Sequence, residues 1–389
     1  MLHSSASSAS SRPHAATPRV LLVCPVGNQI GGAEHLMLAI ARELPKAGFD
    51  PLLAVMRPGK LADLARSQGT EAYTFPVDHR YSHVSTVLRA ISWLADLTQR
   101  TNASLQHATH TAHLYSYFAS RRVNVPDLWH LHDLPSGQDP ISIVNGRLYP
   151  NHTIFTTLGI AKAYPRLRRN PYTVVAPSCI EPAILRSHEP RPDVRVRFAL
   201  PCGPLLLNVA RLQKHKGHTY LLRAAKEILR HYPTVAVVIV GHAGTTEQEN
   251  YKKRLLNEAE QLGISQNIHL LGHVDDADLA ALYRESSVLV HPAWSEGYGL
   301  VLLEAMAMGL PVIAAAATGP TEILRDGENG LLVPVRNAGA LAKAIERILN
   351  DEVLCTRLKA GGAATAEKLT LDVMVKQVSE VYCKMLSLW

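Results

Sequence analysis

The chain has 389 residues, more than one hydrophobic core usually covers, and a prior of about 150 residues per domain predicts two domains. Its formal net charge is +7, concentrated in the first half, and a basic surface attracts nucleic acid, anionic lipid or an anionic substrate without distinguishing them. No run approaches the roughly 18 consecutive apolar residues of a membrane-spanning helix, and the five scattered cysteines form no metal-binding or redox motif.

The first 18 residues are rich in Ser, Ala, Pro and His, and they lack the apolar core of a signal peptide. We expect a disordered tail over residues 1–18 of a cytoplasmic protein, whose cysteines stay reduced in that compartment. The basic charge of the first half makes peripheral association with the inner face of an anionic membrane one further expectation.

From Arg19 onward, short β-branched runs alternate with helical patterns of apolar residues at three- and four-residue spacing. This alternation is typical of βαβ units around a parallel sheet, so the predicted fold class is α/β. A glycine turn over Gln29–Gly32 and a helix over Ala33–Ala47 follow the first strand. The strands predicted in this series are Arg19–Cys24, Leu52–Met56, Glu71–Phe75, Ser104–His107 and Leu128–His132.

A second series of the same kind follows Pro177–Pro204, a stretch rich in proline and charge that is the best candidate for an interdomain linker. The predicted organisation is an N-terminal Rossmann-like domain (19–180), a linker (181–203) and a C-terminal Rossmann-like domain (204–370). Residues 371–389 are predicted to form a helix that packs back towards the N-terminal domain. The strands predicted in the second series are Leu205–Asn208, Val235–Val240, Ile268–Leu271, Val288–Val290, Val312–Ala314 and Gly330–Val333.

The most informative stretch, His291–Pro311, reads as a short strand, a Gly-Tyr-Gly loop and a helix. Backbone N–H groups and the dipole at such a helix start suit phosphate or sugar oxygens, and glycine permits their close approach. Glu296 precedes the helix and Glu304 is expected about two turns into it, so the two carboxylates should contact different parts of one ligand. The spacing also fits a structural pair, with Glu296 at the helix dipole and Glu304 an ordinary helix residue.

A basic loop lies upstream, where a predicted strand gives way to a helix. Arg211 offers a planar fork for two phosphate oxygens and Lys216 a mobile charge, so together they could neutralise a diphosphate without a metal. A solvated basic loop is equally consistent with this segment alone. The glycine-flanked helix start in the same predicted domain favours the nucleotide diphosphate.

Segments in both halves of the chain resemble glycosyltransferase family 4, the retaining glycosyltransferases of the GT-B fold, in their order and separation. Two glutamates with seven residues between them, here Glu296 and Glu304, are the signature of that family. The resemblance implies a GT-B fold, in which two Rossmann-like domains with parallel sheets face a central cleft. The segments that carry it are Gly31–Glu34, His130–Asp133, Thr173–Pro182, Ala210–Gly217, Ser295–Pro311 and Thr318–Pro334.

Carried over to this sequence, the resemblance implies that Arg211 and Lys216 hold the diphosphate of a nucleotide sugar. Glu296 would contact the transferred sugar and Glu304 the ribose, while main chain near Val274 would meet the base. The residues expected to line the sugar and phosphate pocket are Gly297, Tyr298, Gly299, Leu300 and Val301.

In the first half, the resemblance places Gly31 and Gly32 beside the phosphate and the acceptor, and His132 beside the transferred sugar. It implies that a hexose-type sugar moves from a UDP- or GDP-sugar to an acceptor hydroxyl with retention of configuration. The nucleotide sugar is then a substrate, and neither a cofactor nor a metal is expected, since no Asp-x-Asp arrangement is positioned to hold one.

The expected acceptor is a lipid-linked or cell-envelope glycan, and nucleic acid is not an expected partner. Basic side chains of the first half are compatible with docking to an anionic membrane where such an acceptor resides, although a soluble acceptor fits the sequence nearly as well. The residues concerned are Arg121, Arg122, Arg166, Arg168 and Arg169.

Two other enzyme classes fit the sequence less well, and one non-catalytic function stays open. A nicotinamide dehydrogenase needs G-x-G-x-x-G after the first strand and an acid after the second, whereas this chain has a different glycine spacing and Met56-Arg57. A glycoside hydrolase needs two carboxylates that face each other across a scissile bond, which one loop and its helix do not provide. A non-catalytic protein that binds sugar nucleotides remains open, because binding and catalysis would use the same residues.

Overall fold

The computed structural model describes residues 17–25, 27, 31–77, 84–135, 144, 146–169, 173–175 and 193–389. These residues form two sheets in which all neighbouring strands run parallel, so the predicted α/β class is confirmed. Most of the predicted tail and most of the predicted linker lie outside the described residues. No described helix is both long enough and apolar enough to cross a membrane.

The first sheet has seven strands and is flanked by helices on both faces. Its strands are β1 (Arg19–Cys24), β2 (Asp50–Val55), β3 (Glu71–Thr74), β4 (Ala103–Thr109), β5 (Asp127–Leu131), β6 (His152–Phe155) and β7 (Thr173–Val175). They lie in the order β3-β2-β1-β4-β5-β6-β7. The helices described in this part are α1 (Gly32–Glu43), α2 (Leu61–Ser67), α3 (Val84–Arg100), α4 (His113–Val123), α5 (Leu158–Ala163) and α6 (Pro165–Arg168).

The second sheet has six strands in the order β10-β9-β8-β11-β12-β13. Its strands are β8 (Leu205–Val209), β9 (Ala236–Val240), β10 (Ile268–Gly272), β11 (Val288–His291), β12 (Val312–Ala315) and β13 (Leu331–Val333). The helices of the second part are α7 (Val194–Arg197), α8 (His218–Ile228), α9 (Thr246–Leu262), α10 (Asp276–Glu285), α11 (Leu300–Ala307), α12 (Pro320–Ile323), α13 (Ala338–Asn350), α14 (Glu352–Lys368) and α15 (Leu371–Leu388).

The central strand β1 shows why the sequence reads as a continuous apolar run. Val20 and Leu22 pack into a core shared with α1, while Leu21 and Val23 pack into a second core with α3 and α4. Successive side chains of a strand point to opposite faces, so a sheet covered on both sides needs apolar residues at every position.

All the predicted strands are present, with ends displaced by at most two residues. The predicted helix over Ala33–Ala47 is α-helical through Glu43 and continues as a 3₁₀ turn over Leu44–Ala47, because Pro45 has no N–H to donate to the preceding turn. Two strands, β6 and the edge strand β7, are absent from the prediction. The predicted connector Thr173–Pro182 therefore begins with three residues that pair with the sheet.

Helix α15 packs against the first sheet, although the second sheet precedes it in the sequence. Met374, Val378 and Tyr382 are buried in the core formed by β1 and α1. The Tyr382 ring meets Phe49 edge-on at 5.3 Å, and its hydroxyl contacts His107 Nδ1.

The two halves of the chain contact each other at the start of α5. Both carboxylate oxygens of Glu322, on α12, accept backbone hydrogen bonds from that helix, at 2.8 Å from Leu158 N and 2.6 Å from Gly159 N. The carboxylate thus satisfies two amides that the helix itself leaves unpaired.

Candidate active site

The glycine loop joins β11 to α11, and two of its glycines fix its shape. Gly299 has a φ of 102°, in the left-handed region that favours glycine, and α11 begins at Leu300. Glu304 therefore lies about one turn into the helix. The expected two turns are wrong, because the loop continues through Gly299. At Gly297 an added Cβ would stand 2.3 Å from the backbone oxygen of His132, so the two halves of the chain touch here.

Lys216 and His291 both contact one carboxylate oxygen of Glu296. Lys216 Nζ lies 2.7 Å from Glu296 Oε2, and His291 Nε2 lies 2.8 Å from the same atom. An ionised carboxylate only accepts hydrogen bonds, so His291 carries its proton on Nε2. Gly217, with a φ of 78°, packs against the carbonyl of Pro292 and holds the basic loop against the glycine loop.

The electrostatics of this group favour charge on Glu296. Burial opposes ionisation of the carboxyl, but the hydrogen bond from His291 and the charge of Lys216 outweigh it and hold the pKa of Glu296 well below its usual range. Glu296 is therefore ionised at neutral pH. The site holds a fixed negative charge beside a lysine and the start of α11.

Glu304 has a different environment one turn into α11. Its carboxylate is half-buried, and the hydroxyl of Tyr283 donates a hydrogen bond to Oε2 at 2.7 Å. Burial raises the pKa of Glu304, the Tyr283 hydrogen bond opposes that rise, and the negative charge of Asp276 adds to it. The two signature glutamates thus differ: one is held by a lysine and a histidine, and the other by a neutral hydroxyl.

His132 follows β5 in a column of imidazole rings. Its ring centroid lies 4.1 Å from that of His130 and 5.5 Å from that of His110, and His130 Nδ1 lies 3.2 Å from His107 Nε2. Burial and the neighbouring imidazoles hold the pKa of His132 well below its usual range. The ring is therefore neutral at pH 7 and offers a hydrogen bond rather than a charge.

Gly31 and Gly32, at the start of α1, lie at the same contact between the two halves of the chain. A Cβ added to Gly32 would stand 3.3 Å from Leu300 Cδ1, at the first residue of α11. The Gly31 N–H donates to Glu34 Oε2 at 2.9 Å, which closes the first turn of α1. Predicted site residues from both halves of the chain therefore lie along one line of contact.

Residues 197–365 match the family model described as glycosyl transferases group 1. The chain belongs to this family. It is 32% identical to a D-inositol 3-phosphate glycosyltransferase from Acidothermus cellulolyticus over 286 residues, which cover 68% of this chain and 63% of that one. It is 37% identical to a phosphatidyl-myo-inositol mannosyltransferase from Mycobacterium leprae over 171 residues, which cover 44% of this chain and 43% of that one. The chain spans about half the length of the curated relatives it matches.

Solved structures of glycosyltransferases share the fold along almost the whole chain. A glycosyltransferase from Rickettsia africae superposes with a TM-score of 0.82 at 19% identity, covering 96% of this chain and 99% of that one. Anabaena HepE in complex with UDP and glucose superposes with a TM-score of 0.82 at 20% identity, covering 94% and 99%. The fold is GT-B, as the family resemblance implies.

Two residues predicted to bind the donor, Arg211 and Val274, form no hydrogen bond or ion pair with Glu296 or Glu304 among the described residues. Arg211 is exposed on the loop after β8, and no described residue pairs with its guanidinium. Val274 is buried in the core beneath β10, so its backbone rather than its side chain is what a base could meet. A cavity at the carboxyl ends of β9 and β10 is lined by residues that include Leu212, Gly241 and Gly272.

Three residues of the site region are missing from the sequence-based prediction. His291 and Tyr283 contact the two signature glutamates, and Glu322 joins the two halves of the chain. His291 directly precedes the glycine loop, so its position at a strand end was an available signal. Tyr283 gave none, because a buried tyrosine at helical spacing reads as part of the core.

Proposed function

We propose that this chain is a glycosyltransferase that moves a hexose-type sugar from a nucleoside diphosphate donor to an acceptor hydroxyl, with retention of configuration and without a metal. The observation that carries the proposal is the contact of Lys216 and Glu296 beside the start of α11. A cation, a carboxylate and the amide end of a helix are the groups that a sugar diphosphate needs at its reacting bond.

The leaving group is the main electrostatic problem of this reaction. Cleavage of the bond between the anomeric carbon and the phosphate leaves negative charge on the diphosphate and positive charge on the sugar. Lys216 and the amides that begin α11 stabilise the diphosphate in the proposed complex, and exposed Arg211 adds its charge from the neighbouring loop. The ionised Glu296 faces the sugar.

Retention follows when the acceptor attacks the face from which the diphosphate departs. A phosphate oxygen then takes the acceptor proton, and no protein nucleophile is needed. The neutral ring of His132 is suited to orienting a sugar hydroxyl, because it neither repels Lys216 nor competes with it for the phosphate.

The names of the relatives favour a polyol acceptor that carries a phosphate. Two of them are named for inositol 3-phosphate and phosphatidyl-myo-inositol. An acceptor in a lipid headgroup requires contact with a membrane. Among the basic residues expected to support such docking, Arg166 and Arg168 are exposed on α6, while Arg121 bonds to Asp127 and the Tyr149 carbonyl.

The donor nucleotide is UDP or GDP in this proposal. The complex of HepE with UDP and glucose favours UDP, since that protein shares the fold. The mannosyltransferase from Mycobacterium leprae is not named for a nucleotide.

A screen of UDP- and GDP-sugars by thermal shift tests the donor, followed by product analysis with inositol phosphates and anionic lipid acceptors. We expect one nucleotide series to raise the melting temperature and to give a product whose anomeric configuration, measured by NMR, matches the donor. Stabilisation without any product would favour the non-catalytic sugar-nucleotide-binding protein. Absence of stabilisation by every nucleotide sugar would refute both.

A further inference from the structure

Tyr283 presents its only polar side-chain atom to the carboxylate of Glu304. The Tyr283 side chain lies on α10 and is 1% exposed, so the ring is held on all sides by the core beneath α11. Its hydroxyl donates to Glu304 Oε2 at 2.7 Å. A rigid aromatic ring that ends in a hydroxyl fixes the position of whatever accepts its hydrogen bond.

The hydrogen bond engages one of the two carboxylate oxygens of Glu304. Within the described part of the chain, Tyr283 is the sole hydrogen-bond donor to this carboxylate. Oε2 is therefore engaged, and Oε1 keeps its full capacity to accept. Because the residue is only half-buried, a hydroxyl that enters from the cleft can reach it.

We propose that Tyr283 is a positioning residue that orients the Glu304 carboxylate to accept the hydroxyl groups of the donor ribose. The inference rests on the proposed function, because it assumes a nucleoside diphosphate in the cleft. It adds a requirement: recognition of the ribose depends on a residue that never touches the nucleotide.

The charge balance around Glu304 gives this role a measurable signature. Burial and the negative charge of Asp276 raise the pKa of Glu304, and only the Tyr283 hydrogen bond acts in the other direction. Without that hydroxyl, a larger fraction of Glu304 carries a proton at neutral pH. A protonated carboxyl has lost its charge and part of its acceptor capacity, so it binds the ribose hydroxyls less strongly.

Tyr283→Phe removes the hydroxyl and keeps the ring. We expect the affinity for UDP or GDP, whichever the protein binds, to fall about tenfold at pH 7, because a hydrogen bond to a charged group is lost. Calorimetric titration at pH 6, 7 and 8 should show the loss shrinking as pH rises and Glu304 ionises. A general weakening of the fold would not produce that trend.

The matched ligand is the 2′,3′-dideoxy form of the same nucleoside diphosphate. It has no hydroxyl for Glu304, so wild type and Tyr283→Phe should bind it equally. Glu304→Gln provides the second variant: once it is present, adding Tyr283→Phe should cause no further loss, since two residues that act through one contact are not additive.

Equal weakening of the ribose and dideoxy ligands would overturn the inference, as would unchanged affinity of Tyr283→Phe for the ribose ligand. Additive losses in the double variant would do the same. If wild-type protein binds neither UDP nor GDP, the proposed function itself fails, which distinguishes that outcome from failure of the role of Tyr283 alone.

Discussion

Lys216 Nζ lies 2.7 Å from Glu296 Oε2, across 80 residues of sequence and at the point where the basic loop meets the glycine loop. The cation expected to hold the diphosphate and the acid expected to hold the sugar are therefore bound to each other. His291 contacts the same oxygen, so the carboxylate keeps one donor when Lys216 turns to a phosphate. In the proposed mechanism, the pair holds each charge in place until the donor binds.

Replacing Lys216 with Ala should lower kcat by about 100-fold or more, because the charge that develops on the departing diphosphate loses its closest cation. Steady-state kinetics with the donor identified by the thermal-shift screen measure the effect. Lys214→Ala is the matched control, since Lys214 is exposed on the same 3₁₀ turn and has no ion pair among the described residues. A rate for Lys216→Ala within twofold of wild type would remove this residue from the mechanism.

Glu322→Gln should loosen the contact between the two halves of the chain. The amide group can accept only one of the two hydrogen bonds from Leu158 N and Gly159 N, and its NH₂ opposes the other. Because the contact is exposed, we expect a cost of about 1 kcal/mol, which shifts an open-to-closed ratio by roughly fivefold. Small-angle X-ray scattering should show a larger radius of gyration for Glu322→Gln than for wild type. Glu328→Gln, which changes an exposed acid nearby, should show no increase. Identical scattering of both variants would contradict the prediction.

Met374→Ala should reduce the free energy of unfolding of the first sheet by about 2–5 kcal/mol, because it opens a cavity between α15 and the core of β1 and α1. Val373→Ala, one residue earlier on the exposed side of the same helix, should change it by less than about 0.5 kcal/mol. Urea unfolding followed by circular dichroism compares the two. Similar losses in both variants would mean that α15 does not belong to that core.

Stability should fall as the pH drops below about 6.5, the ordinary pKa of an unfolded histidine. Burial and the neighbouring His132 lower the pKa of His107 to about 3. Burial and the neighbouring imidazoles also lower the pKa of His130. Below pH 6.5 the unfolded chain binds protons that the buried histidines of the native state do not bind. The free energy of unfolding therefore falls until the pH reaches the native pKa. Each such histidine should cost about 1 kcal/mol between pH 7 and pH 5.5.

Chemical denaturation across that pH range measures the slope. His107→Asn should flatten it, whereas His231→Asn should leave it unchanged, because His231 is exposed. A wild-type free energy of unfolding that stays constant between pH 7 and pH 5.5 would contradict the prediction, because it would mean that the native state binds protons at these histidines as readily as the unfolded chain does.

The strands could be predicted because buried parallel strands need apolar residues on both faces, as in Arg19–Cys24. The edge strand Thr173–Val175 could not, since three residues carry no periodicity. The identities of Glu296 and Glu304 followed from the motif, but their partners depend on which loops the fold brings together. The local sequence predicts neither the pairing of Lys216 with Glu296 nor that of Tyr283 with Glu304.

The packing of α15 on the first sheet has a consequence for biosynthesis. The core around β1 lacks Met374, Val378 and Tyr382 until nearly all the described chain has left the ribosome. The hydrophobic core of the six-stranded sheet is complete at Leu369, before α15 begins. The second half of the chain can therefore complete its core before the first half, whose apolar face beneath α15 stays uncovered until that helix is made.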